Sequence, residues 1–148
     1  MSPLFMRIFT LVGMALAAAS MQMKARAADA LVGVEAQQVQ AVVMAQLKAF
    51  SEDDADAAFA AATPEVRKSV GDPARFLALV RGNFPMVVHP AGFAFLAPHV
   101  EKDQVLQAVA LRDADDKTWL ALFTLERQPD NSWRIGACIV AENDWRST

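Results

Sequence analysis

Apolar side chains along residues 34–50 recur at the three- and four-residue intervals of one helix face. Val39, Val42, Val43, Gln46, Leu47 and Phe50 fall on this stripe, with Glu35, Gln38 and Lys48 off it. The spacing predicts an amphipathic helix over 34–50. Ser51, ahead of Glu52-Asp53-Asp54, reads as the N-cap of a second helix with acids in its first turn, where the macrodipole favours them. Ala55, Ala58, Phe59 and Ala62 give that helix a small-residue packing face, and Pro64 ends it. Pro64 to Val70 reads as one short helical piece broken by Gly71. Asp72-Pro73 then joins an N-cap acid to a proline at the first helical position. Phe76, Leu77, Leu79 and Val80 form the expected buried side of this helix, and Gly82 its stop.

After Phe84 the period shifts towards two. Pro85, Pro90 and Pro98 divide 84–99 into short extended pieces suited to a sheet edge, because proline removes a ladder donor. Val105–Leu111, Trp119–Glu126 and Trp133–Val140 read as strands. They are joined by turns at Asp113–Lys117 and Gln128-Pro129-Asp130-Asn131, with Asn131 at a position that wants positive φ. Helices first and an antiparallel meander second make an α+β layout.

The strands carry one further message. In the second long strand Trp119, Ala121, Phe123 and Leu125 point one way and Leu120 and Leu122 the other. Strict alternation in the third puts Ile135, Ala137 and Ile139 opposite Cys138 and Val140. A sheet with one wet face should alternate with polar residues. Helices cover one face, so the other needs a cover: a second copy of the same sheet, or the 143–148 tail with Trp145.

Composition narrows the class. The chain has 148 residues, 54% hydrophobic and 21% charged, which fits one folded domain and excludes a disordered chain. One Cys excludes an internal disulfide and a Cys-based zinc cluster. Residues 1–27 read as a cleavable signal peptide: Arg7, an apolar run from Ile8 to Ala19, and the small-x-small site Ala25-Arg26-Ala27. A cut after Ala19 is the alternative site. The run is shorter than the ~20 residues that span a bilayer, and Lys24 and Arg26 end it. The expected mature domain is therefore 28–148, in the periplasm or outside the cell. Loss of Arg7, Lys24 and Arg26 leaves 11 basic residues against 17 acidic ones, a net charge of −6. Such a surface excludes nucleic acid and anionic lipid as partners.

The ordered residues carry a resemblance. Gln46-Leu47-x-Ala49-Phe50, Asp54, Ala58-Phe59 and Ala62-x-Pro64 are followed by Phe76, Val80 and Gln107-Ala108-Val109. The run from Trp119 to Cys138 then includes Leu125-Glu126-Arg127-Gln128-Pro129-Asp130-Asn131-Ser132-Trp133-Arg134-Ile135. This pattern, over residues 35–141, resembles the DUF4864 group of exported proteobacterial proteins of unknown function, whose shape is similar to the NTF2-like or cystatin-like cone. Non-glycine residues stand at Asp116 and Asn131, where the family pattern has glycine, and Phe123 stands where it often has tyrosine. The resemblance implies helices packed in the hollow of a curved antiparallel sheet, a pocket at the open end, and dimerisation through the sheet's back. It implies no reaction, because such folds host many functions.

Candidate chemistry is sparse. Gln107, a polar residue between apolar neighbours in a central strand, is the leading ligand contact, with Trp119, Phe123 and Phe50 as aromatic lining and Arg81 at the rim. The bland reading of Gln107 is an amide satisfied by backbone. Glu126 faces Arg134 across the hairpin as a cross-strand ion pair. His89 and His99, each next to a proline, lack the further ligands a metal needs. The acidic run at 52–56 lacks the glycine and distal glutamate of a calcium loop. Cys138 reads as a buried hydrophobe, or as an intermolecular disulfide partner if it lies on a dimer face. No catalytic residue, metal or cofactor is assigned. The expected function is binding of a small apolar or amphipathic molecule or a protein partner. An isomerase or dehydratase with an acidic base and Gln107 is the alternative.

Overall fold

The computed structural model describes residues 33–101 and 103–143. Residues 36–148 form one compact unit, and of the segment before it only residues 33–35 are described, so the signal-peptide expectation and Trp145 lie outside the described residues. No described helix is long and apolar enough to cross a membrane.

The first helix, α1, covers residues 33–51. Its buried positions are Val39, Val43, Gln46, Leu47, Ala49 and Phe50: Val42 of the predicted stripe is half-buried, and Ala49 joins at its edge. Ser51 does not start the next helix. Its hydroxyl donates back to the Lys48 carbonyl at 2.8 Å, and the chain turns through Asp53 at φ +56°. The cap of α2 (Ala55–Ala60) is Asp54, whose carboxylate accepts from the Ala57 amide at 3.1 Å. Serine loses to aspartate here because the left-handed step at Asp53 delays helix entry by three residues.

α3 (Pro64–Val70) is capped by Thr63 and closed by Gly71, whose φ of +104° demands a residue without Cβ. Asp72 caps α4 (Pro73–Asn83) by accepting from the Arg75 amide at 2.8 Å. Gly82 does not stop that helix, which runs one residue further, and Leu79 is 44% exposed where burial was expected. Leu77 is its buried residue, and Phe76 packs on Phe50 and Phe59 with ring centroids 6.0 and 5.8 Å apart. Pro85 begins α5 (Pro85–Val88), a single helical turn where an extended piece was expected. Proline suits a first helical turn because the missing amide has no partner there anyway.

Five strands follow: β1 (Gly92–Phe95), β2 (His99–Glu101), β3 (Gln104–Arg112), β4 (Thr118–Arg127) and β5 (Trp133–Glu142). They form an open, curved antiparallel sheet in the order β1-β3-β4-β5, with β2 also on β3. β1 pairs with residues 109–112 and β2 with 104–106, so the outer edge is two short pieces with Pro98 between them. Asp116 and Asn131 take positive φ in the two hairpin turns, at +63° and +67°.

Strict alternation fails in β5. Leu125 pairs with Ile135 and Thr124 with Ala137, which leaves Gly136 as an extra residue without an opposite. The bulge inverts the alternation across it. Ile135 therefore shares the helix-facing side with Cys138 and Val140, rather than the outer side with Ala137 and Ile139. Beside the bulge, Thr63 donates to the Ile135 carbonyl at 3.0 Å and Ile135 to the Ala61 carbonyl at 2.8 Å. Ala62 thus makes a parallel bridge to β5 and fixes the helical layer to the free side of that strand. Phe50, Val105, Val109, Ala121, Phe123 and Leu125 fill the core with relative exposures of 0 or 1%. Burying a side chain of Phe or Leu size contributes about 1.5–3 kcal/mol.

Candidate functional site

A cavity of about 180 Å³ lies between the bulged end of β5 and the helices. The sheet gives it Phe123, Ile135, Gly136, Ala137 and Cys138; α1 gives Gln46 and Phe50. Phe76 and Val80 of α4, Phe84 and Val87 complete a largely aromatic and aliphatic wall, with Ala62 and Val66 at its α3 end. The bulge is what exposes it. Had β5 alternated without interruption, Ile135 and Cys138 would face opposite sides and this wall would not exist.

Two of the expected contacts, Phe50 and Phe123, line the cavity; the other three stand elsewhere. Gln107 is fully buried, and its Nε2 donates to the carbonyls of Leu96 at 2.8 Å and Ala108 at 2.9 Å. It spans the break between β1 and β2, and its carbonyl oxygen is buried without a hydrogen bond. Trp119 donates from its indole to Asp113 at 2.9 Å, and Lys117 stands 4.8 Å over its ring. Arg81 pairs with Asp53 at the exposed α1–α2 turn.

The polar side chain that does line the cavity is Gln46. It is 3% exposed, and its Nε2 donates to the Ala58 carbonyl at 3.1 Å. That bond ties α1 to α2 and orients the amide. Its carbonyl oxygen has no partner among the described residues. The clue was in the sequence: a glutamine on an otherwise apolar helical stripe carries the same signal as Gln107 on its strand.

Electrostatics give the cavity no charged side chain. None of its lining residues is Asp, Glu, His, Lys or Arg. Among the described residues three side chains have clearly displaced pKa values. Asp113 is held below the usual carboxylate value, first by the indole N–H of Trp119 and then by backbone amides of its turn. Asp130 is held low by the hydroxyl and amide of Ser132. Both belong to hairpin turns outside the cavity. Cys138, on the cavity wall, is pushed up to about 12 by burial. It faces the helices opposite Phe123 and not the sheet's outer face, so the condition for a disulfide across a sheet-to-sheet dimer is not met.

Glu126 and Arg134 are register partners, but Arg134 donates to the Trp133 carbonyl at 3.2 Å and makes no ion pair with Glu126. His99 lies 3.4 Å from Glu101 on the exposed edge. No three potential ligands gather into a metal site among the described residues.

The raised thiol has a measurable consequence. The unfolded chain ionises Cys138 near the ordinary thiol value of 9.0 while the folded chain stays protonated to about 12. Its contribution to stability is therefore full below pH 9 and is lost as pH rises from 9 to about 12. Urea melts across this window should show wild type losing stability that Cys138→Ala does not lose. The thiol should also react with a disulfide reagent at neutral pH only after denaturation.

The family model for DUF4864, a domain of unknown function, matches residues 33–148. No curated protein matches the chain. Among solved structures it is similar to an NTF-2 like protein of unknown function from Silicibacter pomeroyi DSS-3, at 15% identity and a TM-score of 0.53. That likeness covers 75% of this chain and 98% of the other. It shows the fold, helices set on an NTF2-like curved sheet, at an identity where fold alone is carried over. With the family model covering all the described residues, the chain belongs to the DUF4864 family.

Proposed function

We propose that this protein is an exported, non-catalytic binding module that holds one small amphipathic molecule in the apolar cavity. The observation that carries this reading is Gln46: one oriented amide with an unused oxygen on a wall of aromatic and aliphatic side chains. Ligand sites commonly combine an apolar lining with a few placed polar groups. The volume of about 180 Å³ suits a single ring with one hydroxyl or amine; a dry cavity of about 150 Å³ takes benzene. The isomerase or dehydratase reading asks for a carboxylate and Gln107 on the cavity, and the wall holds neither. The reading requires no cofactor.

A homodimer through the sheet's back belongs to the same proposal. Leu106, Leu120 and Leu122 are half-buried and Ile139 is 66% exposed on a face whose residues stand outside the core cluster. Two copies of one apolar surface are self-complementary about a twofold axis. Export rests on the Arg7 and Ile8–Ala19 pattern and on the Ala25-Arg26-Ala27 site.

Phenol and benzene separate the amide from the apolar wall. Phenol should raise the melting temperature of the wild type more than benzene does. Gln46→Leu should reverse that order while benzene still stabilises, because a neutral hydrogen bond contributes about 0.5–1.5 kcal/mol. Failure of both compounds to raise the melting temperature would refute the cavity as a ligand site.

Light scattering on the purified protein should give a dimer that Ile139→Glu converts to a monomer. A monomeric wild type points to the 143–148 tail as the cover and removes the dimer. Mass analysis of protein expressed in a Gram-negative host should find a chain beginning at Ala28. Retention of residues 1–27 would end the export reading.

A further inference from the structure

A second cavity, of about 270 Å³, lies at the β4–β5 hairpin. Arg67 of α3 and Arg134 of β5 line it, with Gln128, Asp130 and Ser132 of the turn. It shares no lining residue with the apolar cavity, although the two adjoin in sequence. Val66 and Ile135 face the apolar one; Arg67 and Arg134, the next residue along the helix and the one before along the strand, face this one.

Arg67 is half-buried, and its side chain makes no hydrogen bond or ion pair among the described residues. Its Nε is closed off from solvent with no acceptor. An ionised donor left in this condition is costly, and native structures rarely tolerate one without a partner. Arg134 gives one N–H to the Trp133 carbonyl, makes no close ion pair, and acts on the Asp130 carboxylate through space. Gln128 donates to the Glu126 carbonyl at 3.2 Å, and the Ser132 hydroxyl to Asp130 at 2.5 Å. The turn residues thus spend their donors internally, which leaves the two guanidinium groups as the cavity's available donors.

Two arginines and one aspartate leave the walls with a single net positive charge. We propose that this cavity binds the carboxylate of a small monoanionic acid, held by the guanidinium groups of Arg67 and Arg134. A planar carboxylate matches the arginine fork in shape. Asp130 repels a second negative charge, which disfavours a phosphate dianion. Seating the acid turns the Nε–Nη edge of Arg67 into the cavity, where the unmet donor finds its acceptor. The site is separate from the apolar cavity and stands or falls independently of it.

The test is a titration of the full ¹⁵N-labelled protein with sodium acetate against sodium chloride at constant ionic strength, read at the arginine Nε–H signals. Acetate should give a saturable shift of the Arg67 signal that chloride does not. Arg134→Gln and Arg67→Gln should each weaken it by roughly tenfold or more, as expected for loss of a charged hydrogen bond. Arg67→Lys, which keeps the charge without the fork, should weaken it as well. Arg134 is a partly exposed strand residue, so its variant provides a readout if Arg67→Gln fails to fold. Equal responses to chloride and acetate, tighter binding of inorganic phosphate, or a shift that survives both glutamine variants would each overturn the proposal.

Discussion

One surplus residue in β5 governs the helix side of the molecule. Gly136 has no partner on β4, so the strand's inward set changes phase across it and Ile135, Cys138 and Val140 end up together under the helices. A phase change needs a fixed point, and the paired hydrogen bonds between Ala61–Thr63 and Ile135 supply one at the same place. They occupy backbone groups on the free edge of β5 that would otherwise stay open to another strand. They also set the start of α3 against the sheet. A Cβ at Gly136 would sit 3.3 Å from the Glu126 carboxyl, the mobile end of a long side chain. The cavity is the space between this kinked strand and helices that cannot follow it.

The same geometry sorts polar from apolar around α3. Successive positions on a helix diverge by about 100° and successive strand residues point to opposite faces. At Val66/Arg67 and Arg134/Ile135 both rules act at one spot. An apolar wall and a pair of arginines are built there from neighbouring residues without touching the same space. Mixing the two would place unpaired guanidinium groups against aromatic rings in a site of low dielectric, which is expensive for a charge without a partner.

Much of the layout was legible because the period and the caps are local signals. Asp72-Pro73, the α1 stripe and Asn131 in the second hairpin turn each place an element with little reference to the rest of the chain. The failures have a common cause. Ser51 and Asp54 both make acceptable caps, and the choice between them fell to the left-handed turn at Asp53, a backbone state that the residue pattern alone does not fix. Pro85 is compatible with an extended piece or a first helical turn, and the burial of Val87 and Val88 favours the turn. The bulge has no signature in β5 beyond a glycine, and glycine also occurs in plain strands. Gln46 and Gln107 show how far one signal reaches. Both are buried amides among apolar residues. Only three-dimensional placement separates the one that spans a broken sheet edge from the one that faces empty space.

Charge placement bears on the kind of function the fold supports. Catalytic acids and bases are recognised by pKa values displaced through burial and specific partners inside a cleft. Here the lowered carboxylates, Asp113 and Asp130, owe their displacement to the amides, hydroxyl and indole that close two hairpin turns. Their ionised forms serve the turns, and a proton would break the bonds that shape them. The titratable group on the apolar cavity is a thiol that burial keeps neutral, so it is a weak nucleophile and adds little field. Under the proposed binding role, one hydrogen bond to the Gln46 amide would distinguish molecules of similar size. Selectivity of that kind depends on how firmly the amide is held. Gln46 is held by the Ala58 carbonyl and by its place in α1, so such selectivity would follow from helix packing.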